Sequence, residues 1–175
     1  MNCGSQETGV RHAIAADVPR IAEIQVLAWQ SAYRGIVADS FLDGLKAEDS
    51  HKLWSSFAGR DEAPLFVFEH EAQVTGFCHV MPSRDADSNG VAEIVAIYID
   101  PKHWRRGWGR ALVAEAIAFA CSRNFSGLTL WVLEKNMRGR AFYDRCGFQP
   151  DGAIKHETLG GITLTEVRYG RRVDE

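Results

Sequence analysis

The chain has 175 residues, the size of one domain, and its 46 % apolar and 25 % charged composition is that of a globular protein, which excludes a disordered or fibrous chain. A formal net charge of -3 argues against a general nucleic-acid binder, so no nucleic-acid partner is expected. No apolar run approaches the roughly 18 residues of a membrane span, and MNCGSQETGV at the start holds no apolar signal segment, so a cytoplasmic location with no membrane partner is expected.

Residues 1–9 are expected to be disordered, 10–170 to form a single domain and 171–175 a tail. VRHAI (10–14) reads as a short strand. Asp17 stands at an N-cap position with Pro19 in the first turn, and Ile21, Ile24 and Ala28 follow at helical spacing, predicting a helix to about Tyr33. A second helical region, about 39–58, is either continuous or broken between Gly44 and Asp49. LFVFEH (65–70) and QVTGFCHVM (73–81) read as a hairpin, and SRDADSNG (83–90) as a polar loop. VAEIVAIYID (91–100) is apolar except for Glu93, which predicts a central strand covered on both faces.

Leu112, Val113, Ala116, Ile117 and Ala120 form one stripe of a helix over about 105–124. LTLWVL (128–133) reads as a buried strand, Asn136 opens a helix ending at Gly147, and two last strands join around Gly160 and Gly161. This order predicts an α/β fold with mixed strand directions. Cys3, Cys78, Cys121 and Cys146 are scattered singly, so free thiols and no metal centre are expected. Cys78 and His79 would point to opposite faces of their strand.

The most informative stretch is DPKHWRRGWGRAL (100–112). A helix start carries free N–H groups and the positive end of a dipole, glycine admits close approach, and arginine adds charge-assisted contacts. RRGWGR therefore reads either as an anion cradle or as a turn with solvated arginines. The Walker pattern GxxxxGK is absent, and a dinucleotide GxGxxG fails at Leu112.

With LWVLEKNMRGRAFYDRCGF (130–148), this stretch resembles the acetyl-CoA site of the GNAT N-acetyltransferase superfamily. The first segment is similar to RxxGxG or QxxGxG, the second to NxxAxxxYxxxGF, and WQSAYRGIVADSFLDGL (29–45) is similar to the acceptor-side helices of small members. Trp104 stands where the pattern has Gln or Arg. The second pattern is matched at Asn136, Tyr143, Gly147 and Phe148, with two extra residues placed before Ala141.

The resemblance implies a central, mostly antiparallel mixed sheet of about seven strands flanked by about four helices, and acetyl-CoA as cosubstrate with no metal. It implies that backbone groups of Ile97 and Ile99 pair with the pantetheine arm, that the loop of Arg105, Arg106, Gly107, Trp108, Gly109 and Arg110 cradles the pyrophosphate, and that Asn136 touches the pantetheine. It also implies a backbone N–H at Ile97 or Tyr98 as oxyanion donor. Main-chain pairing of this kind is β-augmentation, and a β-bulge beside the strand opens the slot.

Acetyl transfer to an amine needs a neutral nucleophile, a stabilised oxyanion and a proton for the departing thiolate. Tyr143 lies two helical turns after Asn136, roughly 10 Å along the helix, and is either that general acid or an aromatic packing residue. Glu93 is either a general base with a raised pKa or a carboxylate at a frayed strand start. Trp29, Tyr33, Phe41 and Trp54 are core or substrate wall, about two of them core. Asp39, Asp43, Glu48 and Asp49 attract a cationic amine or simply form a solvated face.

The expected function is acetyl transfer to a primary amine of a small molecule or peptide, with a non-catalytic acetyl-CoA sensor as the alternative. The last hairpin offers a strand edge for a homodimer.

Overall fold

A computed structural model of the chain describes residues 8–173; the expectation for residues 1–7 and for Cys3 lies outside them. Its strands are β1 (Gly9–His12), β2 (Leu65–His70), β3 (Gln73–Pro82), β4 (Ala92–Ile99), β5 (Gly127–Leu133), β6 (Gln149–Leu159) and β7 (Ile162–Arg172). Its helices are α1 (Val18–Ala32), α2 (Asp39–Asp43), α3 (Ala47–Ser55), α4 (Trp108–Ser122) and α5 (Met137–Arg145). The strands form one sheet in the order β1-β2-β3-β4-β5-β7-β6. Every pairing is antiparallel except β4 with β5.

The helical region at 39–58 is two helices, broken over residues 44–46 as the second of the two readings has it, which brings the helices to five. Asp17 is the N-cap residue of α1 but makes no side-chain cap bond; its carboxylate accepts from Arg11 and from the Ile14 N–H. Gly9 is already strand, and β7 runs to Arg172, which pairs with Gly127, so strand structure extends beyond the expected domain bounds of 10 and 170. Helix α4 starts at Trp108 because Gly107 adopts a left-handed φ of 85° that ends the preceding loop.

One face of the sheet packs on α4 and α5 through Cys78, Val80, Ile94, Leu130, Val132 and Phe148, with Ile97, Ile99 and Tyr143 against them. The other packs on α1 and α3 through Val67, Phe77 and Ala96. Ile94 and Ile97 lie three apart yet pack on the same face. Strict alternation forbids that, and a β-bulge resolves it: His79 opposes Ala96 while Val80 opposes Ile94, leaving Val95 extra.

Beyond that bulge the sheet forks. Strands β4 and β5 pair only through Ala92↔Leu128, Glu93↔Thr129 and Ile94↔Leu130, after which they part, β4 running on beside β3 to Ile99 and β5 beside β7 to Leu133.

Candidate active site

The fork opens a cavity of about 940 Å³ that runs from one face of the sheet to the other. Every candidate catalytic or coenzyme-binding residue named from the sequence lines it, from Glu93 at the base of the fork to Arg110 at its mouth. Phase along the strands sorts them: Ile97, Ile99 and Tyr143 belong to the α4–α5 face, Glu93, Ala96 and Tyr98 to the α1 face.

The register decides which backbone groups of β4 are open. Asp100 N–H donates to Thr75 C=O at 2.9 Å, which makes that opposed pair hydrogen-bonded. Alternation then makes Phe77↔Tyr98 the next such pair and turns the amides of Ile97 and Ile99 toward the fork. Tyr98 N–H is thereby committed to β3, which removes it as an oxyanion donor and leaves Ile97. The carbonyl of Ile99 is also engaged, accepting from the Trp104 indole Nε1 at 2.9 Å. That indole in turn lies 3.6 Å beneath the Arg138 guanidinium from α5. Trp104 thus holds the loop to the strand end where the sequence pattern has Gln or Arg.

Asp100 anchors the same junction. Its carboxylate accepts from the Lys102 N–H at 3.0 Å, capping a short 3₁₀ turn, and pairs with Arg20 of α1. Arg105 and Arg106 are exposed at the mouth of the cavity, and Arg105 has a left-handed φ of 65°. The Arg106 guanidinium stands 5.5 Å from the Trp108 ring, which itself stacks on Phe68. Gly109 lies against the Phe142 ring, where a Cβ would sit 3.2 Å from the ring edge; its smallness serves helix packing as well as ligand approach. Arg110 donates to the Arg145 carbonyl at 3.0 Å, tying α4 to the end of α5.

Asn136 caps α5, its Oδ1 accepting from the Gly139 N–H at 3.0 Å, which fixes the amide at the edge of the cavity. Helix α5 is uninterrupted, so the two extra residues placed before Ala141 are not there. Asn136, Gly139, Tyr143 and Gly147–Phe148 fall at the pattern's spacing, with Gly139 at the alanine position. A Cβ at Gly139 would sit 2.5 Å from Asn136 Nδ2. Tyr143 is partly exposed, into the cavity, and packs edge-on against Phe142 and Phe148. Burial, reinforced by Tyr98, holds its phenol well above the usual tyrosine range, so it is a protonated donor at neutral pH.

Glu93 is neither frayed nor unpartnered. It is 2 % exposed, and its oxygens receive Arg84 Nη2 at 2.6 Å and Arg84 Nε at 3.1 Å. Sequence periodicity gave no sign of Arg84, which comes from the loop classed as polar. Of the four aromatics, Trp54 is core, 3 % exposed with its Nε1 on Gln25. Trp29 and Tyr33 line the cavity on the α1 face, and Phe41 packs beside Trp29. Asp39 and Asp43 pair with Arg34 on the surface, and Glu48 and Asp49 are exposed, which is the solvated-face reading.

Residues 21–148 match the family model described as the acetyltransferase (GNAT) family. The chain belongs to the GNAT acetyltransferase family. An uncharacterized N-acetyltransferase of Bacillus subtilis is 30 % identical to this GNAT protein over 163 residues, covering 92 % of this chain and 91 % of the relative. A probable N-acetyltransferase of Mycobacterium tuberculosis is 26 % identical over 166 residues, covering 91 % of both. Two solved structures share the GNAT fold. PaiA N-acetyltransferase from Thermoplasma acidophilum, in complex with coenzyme A, superposes with a TM-score of 0.77 at 16 % identity, over 95 % of this chain and 99 % of that one. A putative acetyltransferase, yncA, from Salmonella typhimurium with acetyl-CoA gives 0.73 at 21 %, over 97 % and 95 %. Among the described residues, no helix is long and apolar enough to cross a membrane.

Proposed function

We propose that this GNAT protein transfers the acetyl group of acetyl-CoA directly to a primary amine. The observation that carries the reading is the forked sheet: an open strand edge, the Ile97 backbone and the Ile99 N–H, faces Tyr143 across the cavity, with an arginine-rich loop at its mouth. These features suit acetyl-CoA. The unpaired edge matches amides of the pantetheine arm, and the exposed Arg105 and Arg106 with the α4 N-terminus match a pyrophosphate.

In this reading Ile97 N–H polarises the thioester carbonyl as the amine attacks from the α1 face. The C–N bond forms and the C–S bond breaks. The departing thiolate takes the Tyr143 phenolic proton, and the amine proton passes to Glu93, directly or through water. Arg84 fixes the Glu93 carboxylate at the base of the fork. No cysteine is needed as nucleophile: Cys146 lines the cavity, but burial raises its thiol pKa.

The test is free-thiol release from acetyl-CoA with small amines and peptides, wild type against Glu93→Gln. Acceptor-dependent release, reduced about 10² in the variant, supports the assignment. Release unchanged in the variant removes Glu93 from proton transfer. A non-catalytic acetyl-CoA sensor is the second reading, favoured by the capture of the Ile99 carbonyl by Trp104. Binding without release for every amine supports it.

A further inference from the structure

Beyond the fork, the α1 face of the cavity holds a half-exposed cation, Lys155. Leu133 of β5, Glu166 of β7 and Lys155 of β6 lie in one cross-strand row, because Leu133 pairs with Glu166 and Glu166 with Lys155. The Lys155 ammonium sits 3.0 Å from Glu166 Oε2 and 4.5 Å from the centre of the Trp131 ring. That carboxylate oxygen is out of contact with solvent and receives no well-aligned hydrogen bond, so the lysine meets it only as a charge. Trp131 is a fixed platform, its Nε1 donating to Asp85 Oδ2 at 3.0 Å and its ring lying beside the Arg168 guanidinium. All three residues line the same cavity as Glu93 and Tyr143.

An aromatic face and a largely buried carboxylate together form a site for a primary ammonium. This one is held by a lysine whose side chain is 42 % exposed and free to swing away. The cavity is also roofed on this side. Gly160, in the turn between β6 and β7, packs so closely on α2 that a Cβ there would lie 2.7 Å from Phe41 Cβ. Leu159, Phe41 and Trp29 pack around buried Leu133 and Leu164 beneath it. Trp29, Leu133 and Leu159 of this packed corner line the cavity, whose volume of about 940 Å³ is of the size that encloses small molecules.

We infer that the acceptor is a small molecule with two amino groups: one is acetylated in the fork, and the other displaces Lys155 from Glu166 and Trp131. The inference rests on the acetyltransferase reading for the first amine only, since recognition of the second is a binding property of the cavity. The probes are diaminobutane and butylamine, titrated calorimetrically into protein saturated with coenzyme A, for wild type, Glu166→Gln and Lys155→Met.

Wild type is expected to bind diaminobutane at least about tenfold tighter than butylamine, as one retained ammonium–carboxylate contact implies. Glu166→Gln abolishes the preference without changing butylamine or coenzyme A affinity. Lys155→Met tightens diaminobutane binding several-fold by removing the competitor. A wild type that binds both amines alike, or a Glu166→Gln variant that keeps the preference, overturns the inference. Coenzyme A affinity and thermal melts of each variant separate misfolding from loss of the contact. Because the readout is binding, absence of thiol release with every amine would remove the catalytic reading and leave this test intact.

Discussion

The two sides of the fork handle charge differently. On the side of α4 and α5, Arg105, Arg106 and Arg110 are exposed at the mouth, and among the described residues none of them is in an ion pair with a carboxylate. On the α1 side each central carboxylate already has a partner, Glu93 with Arg84 and Glu166 with Lys155. A surface of unpaired cations accumulates a multivalent anion by attraction alone. A surface of internal pairs binds a new charge only by exchanging one partner for another, and unpaired burial is costly, so such a surface selects. In the proposed reading the first side serves a common cosubstrate and the second a particular acceptor.

The largest test of that division is Tyr143→Phe. The phenol belongs to the coenzyme side, so turnover should fall by about 10² to 10⁴ for every acceptor, with acetyl-CoA affinity nearly unchanged. Turnover retained at all pH values would make Tyr143 a packing residue. Because its pKa is raised, the acid form persists on the alkaline side, and the wild-type rate should show no loss near pH 10 that titration of an ordinary tyrosine would cause.

The next effect is on stability. His79 is 1 % exposed, donates through Nδ1–H to the Pro64 carbonyl, and burial lowers its pKa from 6.5 to about 4. The unfolded chain binds the proton first, so stability should fall as pH drops from about 6.5 toward 4 and stay level in this contribution below that, by at most about 3 kcal/mol. Urea melts at pH 7 and pH 5 measure it. A His79→Gln chain that shows the same pH slope would assign the loss to other groups.

Arg106→Ala should weaken acetyl-CoA binding by about tenfold while leaving discrimination among amines as it was. A change in amine preference instead would mean that the two sides are not independent. Smallest is Gly160→Ala, which places a Cβ against Phe41 and loosens the roof. It should raise the acceptor KM by a few-fold, at a stability cost of about 1–2 kcal/mol for the left-handed backbone. Coenzyme A affinity, measured by calorimetry, should not move.

The same division explains what could be read in advance. The coenzyme side comes from two short continuous segments, 97–110 and 136–148, and its chemistry depends on spacing along a strand, a turn and a helix. Spacing is a property of sequence, so those segments could be located before any contact was known. Yet even there the assignments changed at three points. The β3–β4 register, not the residue type, took Tyr98 N–H out of the site. The cap at Gly139 settled the motif's spacing, and Trp104 acquired its role only by meeting Ile99 and Arg138.

The acceptor side is gathered from α1, the loop at Arg84, and β4 to β7. The order β4-β5-β7-β6 brings Lys155 and Glu166 beside Trp131, and Arg84 reaches Glu93 from a loop that composition marks only as polar. What the sequence by itself determined was the element order, the central strand, the cationic turn and the tyrosine helix, because each follows from local periodicity and capping. Only the tertiary structure decided where the sheet forks, which amides are left open and which charges are paired. Those depend on a bulge, a register and side chains far apart in the chain, none of which leaves a periodic trace.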